Sequence, residues 1–172
     1  MSARSAVGAM TTTRWFRRWA PGVIPRLDLA VHRMTGGRLL MSQGMIACLV
    51  LTTNGRRTGL ARSVPLACLP DRDGSFLVVA SNFGRRSHPA WSGNLLHDPH
   101  ARVSYRGADL AVDTSLLDAE DLAAAWPGLV RMWPPYARYG EISGREPRVF
   151  RLTPAQGVSA SASARPSLRP RA

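Results

Sequence analysis

Between residues 45 and 81 the chain passes three times through a short apolar run, MIACLVLTT (45–53), ARSVPLACL (61–69) and SFLVVAS (75–81), parted by a loop with two glycines (Asn54 to Gly59) and a turn at Asp71 to Gly74. Apolar runs of this length bounded by turn residues read as strands, and their close succession predicts antiparallel hairpins. Pro65 cannot donate to a ladder, so it marks an edge or a bulge. ARVSYR (101–106) and DLAVDTSLL (109–117), joined around Gly107, predict another hairpin, and PRVFRLTP (147–154) a closing strand. Ser87, His88 and Pro89 start a helix that runs through Trp91 to Leu96, with Pro89 at its first position. Asp118 is an N-cap, with Glu120 and Asp121 favouring the helix dipole. Pro127 and Pro134 predict that 118 to about 143 is a set of short helices broken at each proline. The fold class is therefore α+β: an antiparallel barrel with flanking short helices. The elements do not alternate βαβ and no G-x-G-x-x-G follows the first strand, which excludes a Rossmann nicotinamide site.

The 172 residues fit one domain with tails. The net charge is +12, and all 23 basic residues are arginine. Residues 1–33 carry six arginines against Asp28, and 155–172 carry three with no acid, which leaves only +4 on residues 34–154. Most of the basicity lies in the tails and the central domain is only mildly basic, so no nucleic-acid partner is expected. Residues 155–172 are poor in apolar mass and predict disorder. In the first segment, Trp15, Phe16 and Trp19 are mixed with Arg14, Arg17 and Arg18, ahead of an amphipathic stretch from about Arg26 to Met34. Two readings stand for it: peripheral contact with an anionic membrane, or a helix packed over the mouth of the domain. No run reaches the length of a spanning helix and no signal-peptide core is present, so a cytoplasmic protein is expected, with membrane association, if any, on the cytoplasmic face. Cys48 and Cys68 read as reduced core residues, and His32, His88, His97 and His100 assemble neither a metal set nor a nucleophile triad.

Three clusters can carry chemistry. Gly55, Arg56, Arg57, Thr58 and Gly59, with Arg62 on the next strand, put guanidiniums and turn amides in one loop, donors suited to a phosphate or carboxylate, or simply a solvated turn. Ser81 to Trp91 runs from a strand end through Gly84, Arg85 and Arg86 into a helix start, and Trp91 either covers a planar ring or belongs to the core. Tyr136 and Tyr139, three apart after two prolines, share a helical face and either point two phenols at one site or pack on the barrel.

LVLTTNGRRTGLARSVPL, FLVVASNFGRRSHPAWSGNLLHDPHARV and WPGLVRMWPPYARYGEISGREPRVFRLTP, in that order, resemble the deazaflavin-dependent nitroreductase family. These are split β-barrel oxidoreductases related to FMN-binding pyridoxamine-phosphate oxidases, and they use coenzyme F-420, an 8-hydroxy-5-deazaflavin. The resemblance covers residues 34–154. It implies that Gly55, Arg56, Arg57, Thr58 and Arg62 hold the phosphate and oligoglutamate tail. It also implies that Val64, Pro65, Val79, Ala80, Ser81 and Asn82 line the ring, and that Ala90, Trp91 and Asn94 lie along ring and linker. Ser81, Tyr136 and Tyr139 match residues near the reacting atoms. The implied activity is hydride transfer from the reduced cofactor to a small electrophile, a quinone, enone or nitroaromatic. An FMN enzyme of the same barrel and a non-catalytic deazaflavin carrier are the alternatives. Asn82 stands where relatives carry Lys, Ser92 and Trp133 replace Tyr, and Ala67 replaces an aromatic residue, changes expected to open the substrate side.

Overall fold

A computed structural model describes residues 46–155. The basic segment 1–33, the start of the domain at 34–45 and the tail from 156 onward lie outside the described residues, and with them the amphipathic stretch, His32 and the membrane reading. Six strands form one closed antiparallel barrel in the order β1-β2-β3-β6-β5-β4. They are β1 (Cys48–Asn54), β2 (Ala61–Pro70), β3 (Phe76–Val79), β4 (His100–Tyr105), β5 (Ala108–Leu116) and β6 (Val149–Pro154). Each pairing is antiparallel, and β4 closes the ring on β1 with Leu51 opposite Val103. The fold is the antiparallel α+β barrel that the hairpin spacing predicts, the class to which the split barrels implied by the resemblance belong. Arg106 and Gly107 both take positive φ, 50° and 84°, the two-residue turn whose twist matches the β4–β5 hairpin.

Side chains alternate across each strand, and the alternation builds two cores. Leu49, Leu51, Cys68, Phe76, Val78, Val103, Val112, Phe150 and Leu152 fill the barrel, closed by Trp91 and Leu95 of α1 (Ala90–His97). On the outer face, Leu77, Val79 and Val149 pack under Leu129 of α2 (Ala119–Met132) and Tyr136 and Tyr139 of α3 (Tyr136–Ser143). The run FLVV is apolar throughout because β3 is buried on both faces. Cys48 and Cys68 are both buried, and burial pushes the Cys68 thiol up to about 12.

Asp118 caps α2 as expected, its carboxylate accepting the Asp121 N–H at 2.8 Å. The expectation of a break at Pro127 is overturned, since α2 runs without interruption for 14 residues. Pro127 and Ala123, whose carbonyl loses its donor, both face solvent, so water replaces the missing bond while Leu129 and its neighbours anchor the other face. Pro134 does end the helix. Pro89 caps α1 rather than occupying its first position.

Candidate functional site

The barrel has a gap in its wall. β2 pairs with β1 from Ala61 to Ala67, but β3 takes up only Cys68, Leu69 and Pro70. β3 ends at Val79, the Ala80 N–H donates to the Arg148 carbonyl at 2.8 Å, and the chain turns away. Residues 61–67 therefore have a strand on one side only among the described residues. Pro65 lies in this stretch, where a residue without an N–H is tolerated. It and Val64 are half-buried, while Arg62 is exposed.

The arginine loop is docked on α1. Gly55 N–H donates to the Leu60 carbonyl at 2.9 Å, and the Gly55 carbonyl accepts from Gly59 at 2.7 Å and Thr58 at 3.0 Å, a closed turn. Arg56 N–H donates to Asn94 Oδ1 at 3.2 Å, and Asn94 Nδ2 donates to Thr53 Oγ1 at 3.0 Å. The Arg56 guanidinium lies over Gly93, whose missing Cβ would stand 3.6 Å from its carbon. Arg56 is thus held although exposed, and Arg57 and Thr58 are exposed beside it. No ion pair among the described residues engages Arg56, Arg57 or Arg62, so no carboxylate offsets their positive charge there.

The segment that precedes α1 forms the other lip. Ser81 is right-handed, and Asn82, Phe83 and Gly84 follow with φ of 48°, 52° and 70°. Tyr139 Cδ1 lies 3.2 Å from where a Gly84 Cβ would be, so glycine lets α3 approach the turn. Tyr136 and Tyr139 stack edge to face at 6.1 Å and are buried, and burial raises the Tyr136 phenol far above its ordinary value. Arg145 reaches back from beyond α3: Nε donates to the Arg85 carbonyl, Nη2 to the carbonyls of Ala80, Ser81 and Ser87, and Nη1 to His88 Nδ1 at 3.0 Å. Desolvation, then the charges of Arg145 and Arg148, lower the His88 pKa, so the ring is neutral and accepts at Nδ1.

The fold thus brings Arg56 to Asn94, and Ser81 and Asn82 to Tyr139 through Gly84, with α1 and its leader touching both groups. Trp91 points into the barrel, 5.8 Å from Phe150, and Ala80 and Val79 are buried in the two cores. Ala90 is exposed at the start of α1. Ser92 is fully buried and its hydroxyl bonds the Pro89 carbonyl at 2.9 Å, a helix-start contact. Sequence reasoning missed Arg145 and Gly93. A glycine inside a helix was a readable signal of close approach; a lone arginine after Gly144 was not.

A split antiparallel barrel with an arginine-bearing loop docked on a helix is the framework of a cofactor-binding barrel protein. The model of the F420H(2)-dependent quinone reductase family matches residues 24–154. The chain belongs to that family; it is an oxidoreductase, and its cofactor is coenzyme F-420. An F420H(2)-dependent quinone reductase of Mycobacterium tuberculosis is 29% identical over 125 residues, 72% of this chain and 80% of that protein. A solved F420-H2 dependent reductase superposes with a TM-score of 0.56 at 30% identity, covering 62% of this chain and 93% of its own. A domain-swapped dimer superposes at 0.58 with 26% identity, covering 72% and 94%. Among the described residues no helix is long and apolar enough to cross a membrane.

Proposed function

We propose that the chain reduces a quinone or a related planar electrophile, such as an enone or nitroaromatic, and that residues 34–154 form the unit that binds the cofactor at the gap beside β2. One observation carries this reading: Arg56, on the loop that leads into the singly paired stretch of β2, is fixed by its backbone bond to Asn94 and its packing on Gly93. The residues fit a flat ring with a polyanionic tail. Guanidiniums and turn amides at 55–62 suit phosphate and carboxylates, and the half-buried edge at Val64 and Pro65 suits a ring.

When bound and reduced, the cofactor supplies a hydride. The chain's residues do the rest. Arg56, Arg57 and Arg62 bind the tail; Val64, Pro65, Val79, Ala80, Ser81 and Asn82 border the ring; Ala90, Trp91 and Asn94 support it from α1. Ser81, Tyr136 and Tyr139 hold protons beside the acceptor. The buried Tyr136 phenol stays protonated at neutral pH, as a proton donor must. Packing of the lip and α3 excludes water from the acceptor side.

The test is titration of the apo-protein with coenzyme F-420 and with FMN, followed by oxidation of the reduced deazaflavin across quinones, enones and nitroaromatics. Preference for F-420 and faster turnover with a quinone are expected. Arg56→Ala should weaken F-420 binding about tenfold or more, the loss of a charge-assisted contact. Unchanged affinity in that variant would remove the loop from the site.

A further inference from the structure

Arg145 does something a surface arginine does not. Among the described residues its partners are four carbonyl oxygens, of Ala80, Ser81, Arg85 and Ser87, and the His88 imidazole, with no carboxylate. All of them belong to one nine-residue segment that lies 57 to 65 positions earlier in the chain. Ser143 and Gly144 aim it: Gly144 ends α3 in the left-handed region at φ 67°, and the Ser143 hydroxyl accepts the Arg145 N–H at 3.4 Å.

The segment it grips is not a comfortable one. Asn82 and Phe83 are non-glycine residues at positive φ, a region that asparagine enters readily and phenylalanine does not. Within the segment, Asn82 Nδ2 donates to the Ser87 carbonyl at 2.9 Å, and the Gly84 and Arg85 N–H groups donate to the Ser81 and Asn82 carbonyls at 3.0 and 3.1 Å. The Arg145 guanidinium fork ties the two ends of the segment together from outside, with five donors in one rigid plane.

In a trans peptide the N–H points opposite to the C=O before it, and no peptide among the described residues is cis. Drawing the carbonyls of Ala80, Ser81, Arg85 and Ser87 toward Arg145 therefore turns the N–H groups of Ser81, Asn82, Arg86 and His88 to the far face of the segment. Ser81 in the right-handed region followed by Asn82 at positive φ is also the backbone sequence that makes a concave nest of amides. We infer that Arg145 is a positioning residue: it shapes the 80–88 segment into an array of outward backbone donors that read the carbonyl oxygens of the cofactor's ring. Its own charge, left without a carboxylate, reinforces those donors.

This inference rests on the reading that the segment borders the deazaflavin, and the experiment separates the two. In the full chain without cofactor, Arg145→Ala is expected to speed amide hydrogen exchange in 80–88 about tenfold or more while the barrel strands keep their protection. The same variant should raise the Kd for F-420 by about tenfold or more and leave the KM for the quinone unchanged. Low millimolar guanidinium should restore part of that affinity. Arg145→Lys keeps the charge but not the fork. It should fold like the wild type yet show the same local exchange and weak binding, which keeps the test open if the alanine variant does not fold. Unchanged exchange, exchange raised evenly through the barrel, full rescue by lysine, or raised exchange with unchanged F-420 affinity would each overturn the inference. Failure of the wild-type chain to bind F-420 would instead overturn the functional reading, and the exchange result would stand apart from it.

Discussion

Asn94 joins three parts of the molecule: it accepts from the Arg56 backbone, donates to Thr53 on β1, and does so from a buried position on α1. Replacing it with alanine strands two polar groups, a cost of about 1–3 kcal/mol. It also frees the arginine loop, so Asn94→Ala should lower the urea midpoint and weaken F-420 binding together. A stability loss with unchanged binding would show that the loop is not fixed by this residue. His88 carries a pH dependence of known sign. Its folded pKa lies below the ordinary 6.5, so between the two values the unfolded chain binds a proton that the native state resists. Stability is fully present above about pH 6.5 and falls as pH drops through the lowered value, because a protonated Nδ1 cannot accept from Arg145. His88→Gln should flatten that part of the urea-midpoint profile, and superimposable acid limbs would count against the assignment.

At the level of elements, what the sequence made legible was what repeats locally. The hairpins were readable because apolar runs and glycine turns lie side by side, and Asp118 because a cap bonds three residues away. Pro65 was readable as an edge because a missing N–H has few tolerated places. Contacts between distant segments were not legible: nothing near Arg145 points to Ala80, and nothing in TTNGRRTG shows that Arg56 will lie on Gly93. Trp91 was readable as buried or ring-covering, and only its approach to Phe150 fixes its side. Pro127 was misread because propensity was allowed to decide what tertiary packing decides. It sits exposed in a helix whose opposite face buries Leu129 completely. An interior proline costs about 3 kcal/mol relative to alanine, partly offset by the stiffer unfolded chain. Pro127→Ala should therefore raise stability by about 1–3 kcal/mol, with F-420 binding unchanged. A destabilised variant would mean that the proline fits a bend the helix needs.

At the scale of the whole molecule, charge separates two kinds of anion binding. Of the net +12, only +4 belongs to residues 34–154, and Arg56, Arg57 and Arg62 are the part of it proposed to meet one small ligand. The tail from 156 onward holds Arg165, Arg169 and Arg171 with no acid, beyond the 24–154 stretch that matches the family. A polyanion such as duplex DNA recruits dispersed arginines by releasing counterions, with a salt slope of about 0.9 per phosphate neutralised. A single phosphorylated cofactor recruits only those within reach of it. Removing residues 156–172 should therefore reduce whatever non-specific DNA affinity the chain has, and its salt slope by up to about 3, while leaving F-420 affinity and quinone reduction unchanged. The opposite pattern, lost cofactor binding with DNA affinity intact, would place the tail at the site and the DNA-binding charge on the barrel. Fluorescence titrations of the two proteins over a salt series distinguish these outcomes, because the cofactor's few contacts give a shallow slope that truncation should not move.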